Sequence, residues 1–337
     1  MNQYTTTHWR NSFVKGIIFL PILLLLNSCL KKEPLWKLPP PGNEIVTQID
    51  MGETYNTTIF FKFKTNTQIQ RDINTFHLAF QSNVKGYRVK INGGINVQVY
   101  NTHSTDFSEA FNTSISNNWS FDLPNGNMDS TAIGNWLSDT TAYLSKNEVY
   151  VIDLGTNAVP KYKKLVLQNV TDTSYTLKHA NLDNSNLQLS TLKKSTTATF
   201  TYFNLFTNTT VNYEPAPLDY DIIFTKYKHI FYEDGTVIPY SVNGALLNPK
   251  STAASKIKNS SFDSLSIATA NEFIYSTAAD IIGHNWKYFD LDKNKYNIIP
   301  NLYVVKDCEG VLWKLEFIDF YSQAGIKGAP KFRFQRL

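Results

Sequence analysis

The sequence predicts an all-β protein with two tandem copies of a β-sandwich-like unit, preceded by a lipoprotein signal and a tether. Three observations support this prediction. Runs of β-branched and aromatic residues recur along the chain, and 14% of its 337 residues are aromatic. Short motifs of the first half return in the same order in the second half. The chain also begins with an apolar run that ends at a cysteine.

The N-terminal segment has the features of a bacterial lipoprotein signal. Two basic residues precede an apolar run from Gly16 to Leu26. This run is too short to span a bilayer, which takes about 20 residues, but it fits a signal peptide. The following Leu26-Asn27-Ser28-Cys29 resembles a lipobox, in which the cysteine is lipidated. We therefore predict a signal peptide over residues 1–28 and lipidation of Cys29.

Residues 29–44 are predicted to form a tether behind the lipid anchor. Pro39-Pro40-Pro41 favours an extended polyproline geometry, and acyl chains on Cys29 would hold the body at a membrane. Lys32-Glu33 partly matches the charged export signal of Bacteroidetes surface lipoproteins. The sequence thus predicts an outer-membrane location, and it leaves open whether the body faces the cell surface or the periplasm.

The composition and charge exclude several classes of protein. Disordered chains and coiled coils need more charge and fewer aromatic residues than this chain has. The 32 basic and 28 acidic residues leave a net charge of only +4. A basic footprint for nucleic acid is therefore absent, and we predict no nucleic-acid partner.

Strand signals dominate the chain after the tether. The strongest runs are bounded by Asn, Gly and Asp clusters, as expected in a sheet protein. They are Thr57–Phe63, Tyr87–Ile91, Glu148–Leu154, Lys164–Val170, Ala198–Phe206 and Trp313–Phe320. Only Ser251–Ile257 and Ala268–Ile281 indicate short helical insertions.

Six motif pairs recur in one order at nearly one offset. They are Phe63–Thr67 with Phe206–Thr210, Phe76–Phe80 with Tyr220–Phe224, Val89–Gly93 with Tyr240–Gly244, Ser120–Asp122 with Ser261–Asp263, Ile133–Trp136 with Ile282–Trp286, and Tyr150–Leu165 with Tyr303–Leu315. The alternative is that a Tyr-, Thr- and Asn-rich β protein aligns loosely with itself. We place repeat one at 45–185 and repeat two at 195–337, as two sandwich domains or as two halves of one structure.

Two recurring features have a direct structural interpretation. Asn-Gly after an alternating run favours a type I′ turn, because both central residues need a positive φ. Asn92-Gly93 and Asn243-Gly244 are therefore predicted to close hairpins. Trp136 and Trp286 are predicted to anchor the core, since a buried indole brings a large apolar area. Stacking on a ligand is the alternative role for either tryptophan.

The second repeat resembles the HmuY-type lipoproteins of Bacteroidetes, all-β proteins whose founding members bind haem at the cell surface. The likeness rests on three blocks, Tyr220–Tyr227, Pro239–Asn248 and Tyr303–Phe334. Within the last block, Gly328–Phe334 is similar to the closing edge strand of the family. His77–Phe80 and Ile91–Gly94 carry a fainter likeness in the first repeat.

This resemblance implies a lipid-anchored binding protein that captures haem for an outer-membrane transporter. Haem ligation in the family uses a pair of axial side chains, His in the founders and Met in some relatives. The candidates in this sequence are His229, His284 and His103. His229 alternates with aromatic residues, His284 is inserted in the second Ile-Gly-x-Trp element, and His103 lies in an Asn- and Thr-rich loop. For each of them the alternative is an ordinary core or loop histidine.

No motif for catalysis is present in the sequence. The G-x-S-x-G, H-E-x-x-H, P-loop, dinucleotide-binding and calcium-loop patterns are all missing. We therefore predict a protein that is not an enzyme and has no metal site. The acids Asp219, Asp221, Glu233 and Asp234 are interpreted as solvated turn residues, and His77, which replaces Asp221 in the sister repeat, as structural. A non-haem glycan- or protein-binding (adhesion) module of the same fold is the alternative function.

Overall fold

The computed structural model describes residues 40–111, 118–156, 158–250, 252–258 and 260–337. The predicted signal peptide, Cys29 and most of the tether lie outside these residues. The chain from Pro41 to Leu337 forms one compact unit. Within the described ranges, no helix has the length and apolar character that crossing a bilayer requires.

Strands make up most of the regular structure. Those in the described ranges are β1 (Ile45–Gln48), β2 (Thr57–Lys62), β3 (Thr67–Asp72), β4 (Leu78–Gln81), β5 (Val89–Ile91), β6 (Gln98–Asn101), β7 (Leu137–Asp139), β8 (Leu144–Ser145), β9 (Tyr150–Asp153), β10 (Tyr162–Val170), β11 (Ser174–Asn181), β12 (Gln188–Lys193), β13 (Phe200–Asn204), β14 (Thr209–Val211), β15 (Ile222–Glu233), β16 (Thr236–Leu247), β17 (Ala253–Ile257), β18 (Lys287–Asp290), β19 (Lys295–Ile298), β20 (Leu302–Lys306), β21 (Leu312–Tyr321) and β22 (Lys327–Arg336). The helix α1 (Ile267–Ala270) is a single turn.

These strands build two sandwiches. The first sandwich consists of the sheets β12-β11-β10-β9-β6 and β14-β13-β4-β5. The second sandwich consists of the sheets β1-β22-β21-β20-β17 and β16-β15-β2-β3. A buried apolar cluster fills each sandwich, with Trp136 in the first and Trp286 in the second. The all-β prediction and the core position of both tryptophans are confirmed.

The two sandwiches follow one strand plan. If 11 is added to each strand number of the first sandwich, and numbers above 22 continue from β1, the strand order of the second sandwich results. The sheet β12-β11-β10-β9-β6, for example, becomes β1-β22-β21-β20-β17. Each sandwich therefore combines strands from both predicted repeats, because β2 pairs with β15 and β13 pairs with β4. The tandem duplication and the boundaries at 45–185 and 195–337 stay predictions.

Buried side-chain contacts recur with the strands. Nδ2 of Asn92 donates to the carbonyl oxygens of Ile73 and Phe76 at 2.8 and 3.0 Å. Nδ2 of Asn248 makes the same two bonds, to the carbonyls of Pro217 and Tyr220 at 2.7 and 2.8 Å. These bonds make Asn248, rather than the predicted Asn243, the counterpart of Asn92.

Two further pairs refine the predicted motif alignment. Asn66 and Asn208 hold the left-handed positions of the β2–β3 and β13–β14 turns, with φ of 51° and 55°. This shifts the first motif pair by one residue. The ammonium groups of Lys164 and Lys314 each donate at 2.7 Å to a phenylalanine carbonyl, that of Phe107 and Phe262 respectively. Phe107 therefore corresponds to Phe262, where the sequence pairs Phe121 with it.

The two four-stranded sheets face each other across a third buried cluster. It contains Phe60, Phe76, Ala79, Phe200, Tyr213 and Tyr220. Successive side chains of a strand point to opposite faces, so Phe60 of β2 enters this cluster while Ile59 and Phe61 enter the core of the second sandwich. Apolar packing thus joins the sandwiches into one body.

Several local predictions are wrong. The segment predicted as a helix over Ser251–Ile257 contains β17, which pairs with β20 along its length. Gly328–Phe334 lies in β22, which is not an edge strand because β1 pairs with its outer side. In both cases a pairing partner distant in sequence decides the structure. The short helix predicted within Ala268–Ile281 is present as α1, which begins at Ile267.

Neither predicted Asn-Gly turn forms. Asn92 has φ of −82° and precedes a 3₁₀ turn, and Asn243-Gly244 lies inside β16. The type I′ turn is Asp234-Gly235, with φ of 47° and 77°, and it joins β15 to β16. Gly244 is needed for close packing rather than for a turn, because a Cβ there would lie 2.2 Å from the carbonyl oxygen of Gly283.

Candidate ligand site at the long hairpin

Strands β15 and β16 form a hairpin of twelve paired positions that extends beyond its sheet. Strand β2 pairs only with Ile222–Phe224, so the outer part of the hairpin is two-stranded on that side. Because side chains alternate along a strand, Tyr227, His229 and Phe231 share one face. Tyr240 lies opposite His229 on β16 and is 61% exposed.

The loop before Trp286 packs against this hairpin. Gly283, with φ of 63°, exchanges two 2.9 Å backbone hydrogen bonds with Ala245 of β16. The close approach is allowed because Gly244 has no Cβ. This contact carries the next residue of the loop, His284, onto the face that holds His229.

The structure brings His229 and His284 together. Their ring centroids lie 4.6 Å apart with 60° between the planes. Phe231 lies against both rings, at 4.7 Å from His229 and 5.8 Å from His284. The Tyr227 hydroxyl is 3.4 Å from Nδ1 of His284. Two imidazoles therefore share a half-buried aromatic corner, although 55 residues separate them in the chain.

The electrostatics of this corner favour a neutral imidazole. Burial lowers the pKa of His284 to about 4, and His229 and Lys287 nearby act in the same direction. At neutral pH the ring is uncharged, so one of its nitrogens has a free lone pair. That is the form in which histidine binds a metal ion.

Lys287 is a buried cation beside the histidines, and the sequence analysis did not identify it. Its ammonium donates to the carbonyl of Asn243 at 2.8 Å and lies 4.2 Å from the Trp286 ring centroid and 4.8 Å from that of Phe320. Burial lowers its pKa to about 7. Its position within a polar-looking Asn-Trp-Lys-Tyr run gives no sign of burial.

The third candidate, His103, lies apart from the other two. It follows β6 in the first sandwich, its side chain is 77% exposed, and Nδ1 is 3.5 Å from Glu148. The structure thus brings His229 and His284 together and does not add His103 to them.

The other histidines and methionines of the described ranges lie in the packing. Nδ1 of buried His77 accepts the backbone N–H of Leu205 at 3.1 Å, in agreement with the predicted structural role. Nε2 of His179 is 2.9 Å from Oδ1 of Asn208. Met51 is 1% exposed in the core of the second sandwich, and Met128 packs against the cluster between the sheets.

One of the predicted turn acids is not solvated. Asp221 is 0% exposed and accepts bonds from Nζ of Lys62 at 3.2 Å and the N–H of Phe63 at 2.8 Å. Cys308 lies beside this pair, 3.1 Å from the Lys62 ammonium. Burial, together with Asp221, raises the pKa of the Cys308 thiol, so the thiol form is favoured.

The histidine corner can be tested for its fit to a metal-centred ligand. Metal–nitrogen bonds are about 2 Å long, so two imidazoles on opposite sides of one metal have ring centroids about 6 Å apart. At 4.6 Å, one imidazole of the pair can bind the metal while the other lies beside it. If the rings moved apart by about 1.5 Å, both could bind the metal. No group of three or more His, Cys, Asp or Glu side chains suited to a bare metal ion occurs among the described residues.

The HmuY family model matches residues 54–334. The chain belongs to the HmuY family. As such it is a HmuY-type binding protein, and the match covers both sandwiches rather than the second repeat alone. No curated protein matches the sequence.

Three solved structures show similarity at low sequence identity. Apo PinO from Porphyromonas gingivitis has a TM-score of 0.29 and 10% identity over 88% of this chain and 97% of that chain. A putative HmuY_like heme binding protein from Bacteroides vulgatus has a TM-score of 0.24 and 10% identity over 86% and 90%. The apo HmuY analog of Tannerella forsythia has a TM-score of 0.25 and 10% identity over 88% and 98%.

Proposed function

We propose that this HmuY-type binding protein captures haem at the corner formed by His229 and His284. The observation that carries the proposal is the convergence of the two imidazoles at 4.6 Å on the face of an extended hairpin. His229 and His284 would hold haem through their imidazole nitrogens, and the haem would supply the iron that they bind. Membership of a family that includes a structure described as a putative heme binding protein supports the same ligand.

The surroundings of the histidines suit a flat apolar ligand. Phe231 and Tyr240 offer aromatic surface next to the rings, with centroids 6.2 Å apart. Tyr240, Tyr288 and Phe289 are 61%, 52% and 42% exposed on the two neighbouring hairpins. Exposed aromatic groups around a few polar donors are typical of ligand sites.

Haemin titration tests this proposal. Addition of haemin to the purified mature protein should shift the Soret band, and His229→Ala and His284→Ala should each weaken binding at least tenfold. His103→Ala is the matched control, since it removes an exposed histidine from the other sandwich. Absence of a Soret shift, or parental behaviour of both corner variants, would exclude haem capture at this site.

The acidity of His284 gives the expected pH dependence. Because its pKa is lowered to about 4, the imidazole stays neutral down to about pH 5, and ligation should persist there. A histidine of ordinary pKa would lose much of its binding between pH 7 and pH 5. Loss of the Soret shift over that range would count against His284 as the ligand.

The proposal also includes the membrane and a partner. A lipid on Cys29 would hold the protein at the outer membrane, from which bound haem passes to an outer-membrane transporter. Cys29→Ala should release the protein into the soluble fraction. Protease treatment of intact cells separates a surface location, in which the protein is digested, from a periplasmic one, in which it is protected.

A further inference from the structure

A second cleft lies at the junction of the two sandwiches, away from the histidine corner. It has a volume of about 290 Å³, and its lining includes Asn56, Asn74, His77, Asn96, Phe206 and Lys226. Ligand sites for drug-sized molecules span roughly 300–1,000 Å³, so this cleft suits a single small ring and is too small for a macrocycle.

The corresponding turn of the second sandwich is closed by charges. Between β2 and β3, the ammonium of Lys64 is 2.8 Å from Glu309, and that of Lys62 is 3.2 Å from Asp221. These ion pairs cover the end of the sheet.

The first sandwich replaces those charged groups with uncharged ones. Since Asn208 corresponds to Asn66, Phe206 corresponds to Lys64. His77 corresponds to Asp221, because each binds a backbone N–H at the end of the neighbouring strand, that of Leu205 or Phe63. An aromatic ring and an imidazole thus stand where the second sandwich has a cation and an anion.

The hydrogen bond of His77 fixes its tautomer. Nδ1 accepts the N–H of Leu205 at 3.1 Å, so the ring proton is on Nε2. Burial lowers the pKa of His77 to about 4, and the ring is therefore neutral at physiological pH. His77, which lines the cleft, therefore carries an uncharged N–H donor.

The remaining walls supply an aromatic surface and fixed amides. Phe206 is 43% exposed, and its ring meets that of His77 edge-on at 4.9 Å. The side-chain oxygen of Asn56 accepts a hydrogen bond from the Lys226 ammonium at 2.9 Å. The amide hydrogens of Asn56 therefore remain available as donors. Asn96 is held between Thr156 and Ser241 by two 2.9 Å bonds.

We propose that this cleft binds one pyranose ring of a neutral saccharide. A pyranose has an apolar C–H face that can stack on Phe206 and a rim of hydroxyl groups that both donate and accept hydrogen bonds. The amides of the cleft, the Nε2–H of His77 and the hydroxyl of Thr156 provide matching partners. Phe206 and His77 are uncharged where the second sandwich has ion pairs, and the one charged side chain in the lining, Lys226, is hydrogen-bonded to Asn56. We therefore assign a neutral ligand.

Saturation-transfer NMR on the purified protein tests the proposal with methyl glycosides of glucose, galactose, mannose and N-acetylglucosamine at millimolar concentration. At least one should receive saturation transfer, and its affinity should fall at least tenfold in Phe206→Ala and in Phe206→Lys, which installs the residue found in the second sandwich. Transfer to none of the four, or equal binding by parent and both variants, overturns the proposal.

A matched control separates this site from the hairpin. Phe289→Ala removes an aromatic ring of the same type and nearly the same exposure, 42% against 43%, and should bind the glycosides like the parent. Methyl glucuronide provides a charged ligand of the same ring size, and a clear preference for it would overturn the neutral-ligand assignment. Haemin titration of Phe206→Ala should give the parental Soret shift, so the two sites succeed or fail independently.

Discussion

In the first sandwich, Trp136 donates its indole N–H to the carbonyl of Tyr87 at 2.7 Å, and the next residue, Leu137, is an apolar part of the core. In the second sandwich, the indole N–H of Trp286 is buried without a hydrogen-bond partner within the described structure, and Lys287 follows it. Two positions with the same place in the strand plan thus differ in how well their polar groups are satisfied.

The same contrast extends to the hairpins. Strands β4 and β5 pair over three positions, whereas β15 and β16 pair over twelve. The long hairpin carries His229, and the loop docked on it carries His284. Among the described residues, the sandwich with the extended hairpin also contains more of the buried side-chain atoms without a partner, on Tyr55, Asn243, Trp286 and Tyr303, than the first sandwich, which has them on His179 and Thr199. This association is expected where a ligand site is built at some expense of stability.

The largest expected effect concerns the buried ion pair of the second sandwich. Lys62→Ala leaves Asp221 buried without its cation, which should lower the free energy of unfolding by about 3–5 kcal/mol. Asn204 is the corresponding residue of the first sandwich, and its side-chain amide donates a hydrogen bond to the carbonyl of Thr75. Asn204→Ala should lower the free energy of unfolding by about 1 kcal/mol. Urea denaturation measures both; equal losses would contradict the difference between the sandwiches.

Lys287 should make stability depend on pH. The lysine pKa is about 7 when folded and 10.5 when unfolded, so between these values the unfolded chain binds the extra proton and stability rises with pH. At about 1.4 kcal/mol per unit, the rise over these pKa values is on the order of 5 kcal/mol. Lys287→Leu, which copies Leu137, should abolish the rise and stabilise the protein at pH 6. Melting curves from pH 6 to 10 of both proteins provide the measurement.

Gly244→Ala should disturb the histidine corner through the backbone. The new Cβ would clash with the Gly283 carbonyl and displace the loop that carries His284. Overpacking of this kind costs about 1–3 kcal/mol, and haemin binding should weaken with it. Gly93→Ala is the control, because Gly93 does not have a positive φ and its added Cβ would come no closer than 3.4 Å to a neighbouring atom. An unchanged Soret titration for Gly244→Ala would show that the position of the loop that carries His284 does not affect haemin binding.

The two tryptophans should respond differently to the same substitution. Trp136→Phe leaves the Tyr87 carbonyl without its donor, whereas Trp286→Phe removes a donor that has no partner. Both variants lose similar apolar area, so the first should be less stable than the second by about 1 kcal/mol. Chemical denaturation of the pair decides this, and a larger loss for Trp286→Phe would reverse the comparison.

Strand positions were predictable because local composition and burial agree. The runs around Phe60, Val151, Leu165 and Leu315 are apolar or aromatic, and each lies in a strand with buried side chains. Predictions failed where a distant partner decides. The Asn243-Gly244 pair looks like a turn, yet its glycine serves the approach of the Gly283 loop, and the turn is formed by Asp234-Gly235.

The members of the candidate site can be singled out from the sequence, but their contact cannot. His229 and His284 each stand out in the sequence, one among aromatic residues and the other as an insertion. Their contact depends on a β-bridge between Ala245 and Gly283, which no local pattern encodes. Lys287 could not be found, because a buried lysine has the same local sequence as an exposed one.

The exchange of strands between the halves has a kinetic consequence. Residue Ile45 of β1 pairs with Phe334 of β22, and Phe61 of β2 pairs with Ile222 of β15. The second sandwich cannot close until nearly the whole chain is available, whereas the strands of the first, from β4 to β14, lie within residues 78–211. Pairings at the large sequence separation of the second sandwich slow folding. We therefore expect the first sandwich to form before the second, which closes only when β22 pairs with β1.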